Sequence, residues 1–488
     1  MDSKILNLPN SWTAVKLGDF VENEKGKKPK SESKIETASH HLPYVDIQAF
    51  EENVVRSWAD GAGCRLCYET DFLMVWDGSR SGLVGKGMNG ALGSTLVRIY
   101  FPSMVNDYAF YFLQSKYQQI NTRAKGVGIP HVDPNLLWNY DLPIPPLNEQ
   151  HRIVSKIEEL FSELDKGIEN LKTAQAQLKV YRQALLKHAF EGKLTAQWRA
   201  ENQDKLETAD ALLKRIQQER TQRYQQQLAD WEAIGQGSKP KALKDMPPLS
   251  TEELADLPRL PAGWCWAKLG QLTWSVKDGP HFSPKYVENG VPFISGGNVR
   301  PEGVDFDKVK YISKELHEEL CKRCKPEVGD VLYTKGGTTG IARVNTYNED
   351  FSVWVHVAVL KLTAAVKPFY LQHVLNSSFC YSQSQKYTHG VGNQDLGLTR
   401  MVNIVLAICS TDEQDEVIKV IDDKMSVIDQ LDQTITTSLQ QAEALRQSIL
   451  KKAFSGQLVP QDSNDEPASE LLARIKTEQS GNKIRAKS

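Results

Sequence analysis

The sequence predicts an α+β protein made of two copies of one unit, each a strand-rich mixed domain followed by a long helix. Three observations predict it. First, the segment Gln183–Leu194 returns as Gln447–Leu458 with seven of twelve residues identical, sharing the Ala-Phe-x-Gly core at Ala189-Phe190 and Ala453-Phe454. Second, the spacing holds far upstream. Gly126-Val127-Gly128 matches Gly390-Val391-Gly392, Glu149-Gln150 matches Glu413-Gln414, and Asp165 matches Asp429. Pro9, Trp12 and Lys16-Leu17-Gly18 match Pro261, Trp264 and Lys268-Leu269-Gly270. Third, each domain is followed by apolar residues recurring at a 3.5-residue period, the spacing that keeps one stripe of a helix facing a partner. A binding module carried twice reads two things, with its two heads held apart by whatever joins them.

Composition bounds this reading. A chain of 488 residues with 40% hydrophobic and 25% charged residues is an ordinary globular protein, and repeats of ~150 residues are large enough to bury their own cores. No apolar run approaches the ~18 residues of a membrane span, and Met401–Cys409 is interrupted by Asn403. The segment Met1–Pro9 lacks the apolar core of a secretory signal, so a cytoplasmic location with no membrane partner is expected. Net charge of −2 does not announce a nucleic-acid binder. Lys25, Lys27, Lys28, Lys30 and Lys34 do fall in one stretch, and such a run is more often a solvated loop than a phosphate patch.

Taken in order, residues 1–147 form the first domain, with strands expected at Leu42–Ile47, Asp71–Trp76 and Leu92–Tyr100, where β-branched and aromatic runs are bounded by Gly, Pro and Asp. A helix is expected at Asp107–Ser115 and a closing strand at Leu142–Leu147. Residues 148–191 are the first long helix, with a stripe at Ile153, Ile157, Leu160, Leu164, Gly167, Leu171, Ala174, Leu178, Tyr181 and Leu185. Residues 192–260 are a connector opening with a short helix at Ala209–Ile216, then a Gln-rich run and loose Gly, Ser and Pro. Residues 261–411 are the second domain, with a helix at Pro368–Asn376 and a closing strand at Ile404–Cys409. Residues 412–455 repeat the long helix with Val417, Ile421, Lys424, Ile428, Leu431, Ile435, Ser438, Ala442, Leu445 and Ile449. Residues 456–488 form a tail that repeats the connector's short helix at Ala468–Ile475. Each long helix, at roughly 40 residues, is about 60 Å long. Two independent surface helices, each packed on its own domain, remain the alternative.

Catalytic signatures are sought without a match. Gly82-Leu-Val-Gly85-Lys86 has the wrong spacing for a phosphate loop. The Gly-Val-Gly turns lack the third glycine of a dinucleotide fingerprint. Leu142–Leu147 lacks the amide and aromatic of an amino-methyltransferase box. Cys64/Cys67 and Cys321/Cys324 form two CxxC pairs, but they lie in different copies, and buried or incidental thiols are the favoured reading over zinc. What stands out is a loop after one strand in each domain. It runs through Ser79-Arg80-Ser81 in the first and Lys335-Gly-Gly-Thr338-Thr339 in the second, where small residues permit close backbone approach and the rest are phosphate and base-edge donors. Either these loops contact DNA, together with Lys125 and His131 and with Asn393 and Gln394 from the Gly-Val-Gly turns, or they are tight solvated hairpins.

The second loop, from Gly329-Asp-Val-Leu-Tyr-Thr to Gly340, the run Pro143–Gln150 followed by Ile153-Val154, and Ala189–Arg199 resemble the specificity (S) subunit of type I restriction-modification enzymes. The resemblance spans nearly the whole chain. Cys409–Gln414 departs from it where a Pro-Pro pair is usual. It implies two target-recognition domains, each reading half of a split, asymmetric DNA site, separated by two long helices packed antiparallel as a coiled coil, with pseudo-two-fold symmetry. The coiled-coil interface is then Ile153, Ile157, Leu160, Leu164, Leu171, Leu178, Ile421, Ile428, Leu431, Ile435 and Leu445. The resemblance also implies a chain with no catalysis or cofactor of its own. It binds double-stranded DNA and docks two modification (M) subunits, which hold S-adenosylmethionine, and restriction (R) subunits, which use ATP and Mg. Other classes to weigh are a coiled-coil assembly scaffold without base readout and a single-chain modification enzyme. Phe161, Phe190, Trp198 and Phe454 are expected as exposed apolar stripes at the helix ends, making the chain poorly soluble without M.

Overall fold

The structure is a computed structural model describing residues 8–101, 104–126, 128–235, 239–240, 246–390 and 394–485. The first domain runs through β1 (Thr13–Lys16), β2 (Glu22–Lys25), β3 (Phe72–Val75), β4 (Val84–Lys86) and β5 (Leu96–Tyr100) into α1 (Asn106–Thr122) and β6 (Asp141–Ile144). Then come α2 (Leu147–Phe190) and, in the connector, α3 (Ala209–Ile234). The second domain has β7 (Cys265–Lys268), β8 (Thr273–Asp278), β9 (Val331–Thr334), β10 (Ala342–Val344), β11 (Val357–Leu362), α4 (Pro368–Leu375) and β12 (Val405–Ile408). It is followed by α5 (Thr411–Ala453) and α6 (Ala468–Arg485).

The two domains share one topology. Each has an antiparallel sheet, ordered β2-β5-β3-β4 and β8-β11-β9-β10, and a two-stranded ribbon, β1 with β6 and β7 with β12. A second sheet in each contains one parallel pair: Leu42–Val45 with Gly90–Leu92, and Val291–Ile294 with Ser352–Val353. The central strand is apolar on both faces because both are covered. Alternate residues of a strand point to opposite faces, so Phe72 and Met74 enter the core beneath α1 while Leu73 and Val75 enter the core of the second sheet. In β9, Val331 and Tyr333 divide from Leu332 in the same way.

The run expected as one strand over residues 92–100 is broken. A Cβ at Gly93 would stand 2.3 Å from the Val45 carbonyl oxygen, so the chain crosses a neighbouring backbone there and turns between two strands. The Gln-rich stretch of the connector, by contrast, is helical, as part of the 26-residue α3. Its Glu219–Arg223 pair spans one turn.

The chain packs as two compact units that do not follow linear order: one joins residues 1–172 to 435–488, the other holds 173–434. In the first unit, the second residue pair of α2's opening turn explains the Glu-Gln repeat. Gln150 donates to the Pro145 carbonyl at 3.1 Å and accepts from the Val105 N–H at 3.0 Å. Glu149 accepts from Trp12 Nε1 at 3.0 Å and from Gln461 at 2.6 Å. The Phe454 ring lies against Tyr108 and Phe112 at 5.2 and 5.3 Å, and the Tyr108 hydroxyl donates to the Pro143 carbonyl. Gly456 has φ +72, and a Cβ there would meet Pro9 Cγ at 2.4 Å. Leu471, Leu472 and Ile475 of α6 complete this core, and Arg152 pairs with Asp465 at 2.6 Å.

In the second unit, Gln414 donates to the Cys409 carbonyl at 2.8 Å and accepts from the Lys367 N–H at 2.8 Å. Glu413 accepts from Thr195 and Arg199. Phe190 lies 5.4 Å from Tyr370, whose hydroxyl donates to the Ala407 carbonyl. Gly192 has φ +69 and faces Pro261. Leu212 and Ile216 of α3 join the core. The expectation of exposed aromatic stripes is therefore corrected: Trp198 is half-buried, and Phe161, Phe190 and Phe454 are buried because each packs on domain aromatics, Phe161 on Tyr111, Phe190 on Tyr370 and Phe454 on Tyr108 and Phe112.

The helix seam also differs from the sequence expectation. In α5, Ile421, Ile428, Ile435, Ala442 and Ile449 are buried as expected, but Lys424, Leu431 and Leu445 are exposed, Leu431 at 47% and Leu445 at 51%. Their places are taken by Met425, Asp432 and Arg446, each one residue later. In α2, Ile153, Ile157 and Leu185 are buried, and Leu160, Leu164, Leu171, Ala174 and Leu178 half-buried. Gly167 and Tyr181 are exposed, with Ile168 and Arg182 less so. A 3.5-residue period fixes the repeat but not which flank of the stripe faces the partner, and here that flank is partly polar. In the first unit Arg446 pairs with Asp165 and lies 4.4 Å over the Phe161 ring. In the second, Gln175 meets Asp432 at 3.1 Å and Arg182 meets Asp429, later residues of α2 against earlier residues of α5, so the helices run antiparallel there.

Candidate nucleic-acid interface

In each domain three connections meet: the loop after the first strand of the main sheet, the turn after its central strand, and the turn before the closing strand. In the first domain, Gly78 N–H donates to the Pro130 carbonyl at 2.8 Å, Val132 N–H to Trp76 at 2.9 Å, and Lys125 and His131 exchange backbone hydrogen bonds at 2.9 and 2.7 Å. In the second, Gly337 N–H donates to Gln394 at 3.1 Å, Leu396 N–H to Lys335 at 2.7 Å, and His389 and Asp395 exchange bonds at 3.1 and 2.9 Å. Backbone groups that pair with each other need no sheet or helix around them, which is how two irregular turns hold a fixed mutual geometry. Gly78 and Gly82 in the first turn, and Gly337 and Gly340 in the second, sit at positive φ, where other residues are strained.

The candidate side chains divide. Ser79, Arg80, Thr338 and Gln394 are exposed. Arg80 rests on Glu51, and Lys125 pairs with Asp133 at 2.8 Å while remaining more than half exposed. The Lys125 ammonium holds the Asp133 carboxyl below its ordinary range. His131 is half-buried. Asn393 lies outside the described residues.

Three other candidates are corrected. Ser81 is fully buried, its carbonyl accepting from Asn121. Thr339 is 3% exposed and shares a hydrogen bond with Thr388, while Gln385 donates to it. Lys335 is 3% exposed, held between Asp278 at 3.3 Å and Asp395 at 3.1 Å. An ammonium buried between two carboxylates is already neutralised and out of reach of a phosphate. Beside it His356 is pushed below its usual value by burial and then by Lys335.

The structure also exposes residues that the sequence reading passed over. Ile35 and Ile129 are 69% exposed on the loop and turn of the first domain, and Phe282 is 56% exposed on the second domain's loop. A bulky apolar residue standing between Lys34 and Glu36, between Gly128 and Pro130, or two residues from Pro280 and Pro284 is a legible signal, since burial does not explain it. Such side chains suit contact with a thymine methyl or wedging at a base step. Lys27, Lys28, Lys30 and Lys34 are exposed around Ile35.

Burial pushes the thiols of Cys67 and Cys324 up to about 12, far from the thiolate needed for attack or metal binding. Among the described residues no group of three or more His, Cys, Asp or Glu could hold a metal ion, and no helix is long and apolar enough to cross a membrane.

The family model for the type I restriction modification DNA specificity domain matches residues 9–173. The type I restriction enzyme EcoBI specificity subunit of Escherichia coli is 22% identical over 97% of this chain and 94% of its own length. The MjaVIII specificity subunit of Methanocaldococcus jannaschii is 33% identical over 176 residues, 35% of this chain and 41% of that relative. A chain solved in a study of complex assembly and conformational transition of the type I R-M system superposes with a TM-score of 0.61 at 18% identity, covering 92% of this chain and 99% of that one, a likeness of fold.

Proposed function

The chain is a type I restriction-modification specificity subunit by family, and from that premise we propose that each of its two domains reads one half of a split, asymmetric site on double-stranded DNA. The observation that carries the reading is the recurrence, in both domains, of the same two turns joined by the same backbone hydrogen bonds. The exposed side chains on them and on the loop that meets them are those that contact bases and phosphates: Ser79, Arg80, Lys125 and Ile129 in the first domain, with Thr338, Gln394 and Phe282 in the second. Their support from phosphate-neutralising charge is thin. A net charge of −2 offers little long-range attraction.

Tight binding therefore draws on partners. We assign catalysis to them as well: two M subunits with S-adenosylmethionine and R subunits with ATP and Mg, this chain supplying recognition alone. The near-neutral charge is the ground for this dependence; Phe161, Phe190 and Phe454 are buried and supply none. α2 and α5 each contribute residues to both units, which suits them to set the spacing between half-sites. A scaffold without base readout is the second reading, and it leaves the paired turns unexplained.

The deciding experiment selects bound duplexes from a random library, using the full chain co-purified with its M partner. Enrichment of a two-part sequence with a fixed spacer is expected. Removing seven residues from each long helix shortens it by about 10 Å while keeping the heptad register, and should alter the spacer but neither half-site. Binding without sequence preference would favour the scaffold, and methyl transfer by the isolated chain would favour a single-chain modification enzyme.

A further inference from the structure

We propose that an ion pair of opposite polarity in the two domains bolts the end of the first sheet strand to the turn after the central strand, making Lys25, Asp77, Asp278 and Lys335 positioning residues for half-site specificity. The inference rests on the base-reading role proposed above. In the first domain the Lys25 ammonium, at the end of β2, meets the Asp77 carboxylate at 2.7 Å. In the second, the carboxylate stands on the strand: Asp278, at the end of β8, meets the Lys335 ammonium at 3.3 Å.

The chain positions are equivalent. Gly26 and Gly279, next along the chain, each leave room for no Cβ, because one would lie 2.1 Å from the Gly93 carbonyl oxygen and the other 1.8 Å from that of Val353. The two strands thus end at the same place in the fold, and Lys25 corresponds to Asp278. Asp77 bridges to His131 as Gly336 bridges to Asp395. Trp76 therefore holds the position of Lys335, and the charge on the turn has moved by one residue as well as changed sign. Two different solutions to one link imply that the link itself is what the fold requires.

Packing alone does not call for charges at this place. Enclosing an ammonium and a carboxylate strips both of water at a cost that their mutual attraction need not repay, and apolar residues of similar volume often serve as well or better. Lys335 and Asp278 are buried nonetheless. Asp278 also accepts from Arg323 at 2.8 Å and lies 3.2 Å from His281, and Lys335 reaches on to Asp395, which Arg400 approaches at 3.9 Å. Directed bonds fix a distance where apolar contact would let surfaces slide. What they fix here is the turn that carries Ser79 and Arg80, or Thr338, relative to the loop that carries Ile35, or Phe282. A bolt that sets several donors at once acts on a whole half-site rather than on one base pair.

The test is duplex selection by the full chain in complex with its M partner, comparing wild type with Lys335→Met, Lys335→Arg, Lys25→Asp and the double variant Lys25→Asp/Asp77→Lys, which gives the first domain the polarity of the second. Per-position discrimination for recognised base pairs is typically ten-fold or more. Lys335→Met should reduce it to a few-fold across one half-site and leave the other intact, with Lys335→Arg closer to wild type. Lys25→Asp should do the same to the opposite half-site, and the double variant should restore it. Variants that lower the melting temperature but leave both half-sites unchanged would overturn the proposal, as would an effect confined to a single base pair. If Lys335→Met does not fold, the half-exposed Lys25–Asp77 pair carries the test alone. Wild-type complex that enriches no sequence would instead sink the base-reading role itself.

Discussion

Truncating Ile428 and Leu431, three residues apart on α5, separates the observed helix register from the one that apolarity alone suggests. Ile428 is 2% exposed and Leu431 47% exposed, and both belong to the second unit, so they report on the same unfolding event. Removing a buried Ile side chain to Ala costs about 2–5 kcal/mol, the transfer energy plus the cavity. Leu431 gives up only part of a full burial energy of ~1.5–3 kcal/mol, leaves no cavity, and regains a few tenths from alanine's helix propensity. Its cost should be on the order of 1 kcal/mol or below. Urea unfolding followed by far-UV circular dichroism measures the difference: with a slope of ~1–3 kcal/mol per molar, Ile428→Ala should lower the midpoint by about 1 M or more and Leu431→Ala by a few tenths. Equal losses, or a larger loss at Leu431, would refute the register and put Leu431 in the seam.

Other consequences can be measured directly. Gly192→Ala and Gly456→Ala should each lower stability by more than about 1 kcal/mol, because both backbones are left-handed and both Cβ atoms would press on a proline, Pro261 or Pro9; unchanged melting temperatures would exclude that strain. The Asp465 carboxyl is held below its ordinary 3.8 by the Arg152 guanidinium, so its contribution is complete above that pH and disappears as pH falls through the depressed value. The stability gap between wild type and Arg152→Met should accordingly be constant near neutrality and close in acid. A thiol reagent at pH 8 should leave Cys67, Cys324, Cys380 and Cys409 unlabelled until urea is added, since all four are buried, and a metal chelator should leave the melting temperature unchanged.

The sequence made the repeated contacts legible as motifs and hid their geometry. Glu149-Gln150 and Glu413-Gln414 recur because a glutamine at the head of each long helix closes two backbone groups that the preceding strand and the domain helix leave open. Phe190 and Phe454 recur because each fills an aromatic socket. Read as exposed, they were placed by residue type on a helix end, whereas their sockets, Tyr370 and Tyr108, are far away in the chain. Lys335 was misread for the same reason. A lysine among glycines and threonines resembles a phosphate donor until Asp278 and Asp395, the latter 60 residues on, are seen to close around it. The seam was displaced because Leu431 and Leu445 are more apolar than Asp432 and Arg446, which face the partner helix. Local pattern gives a period, and only tertiary contact gives its phase.

The composition of the first unit bears on the order in which the protein can be completed as it is synthesised. The residues of the second unit, 173–434, are contiguous, so it can close as soon as they emerge. The first unit cannot: Ser11 bonds to Gln461, 450 residues later, and its carbonyl receives the Ala468 N–H. At ~5–20 residues per second that interval lasts roughly 20–90 s. Within it, Tyr108 and Phe112 await Phe454, and Glu149 awaits Gln461. Closing so long a loop adds only a logarithmic entropy term, so the delay is one of time rather than of equilibrium. The domain begun first is finished last, and newly made chains should present its aromatic socket to chaperones, or to one another, while the second domain is already closed.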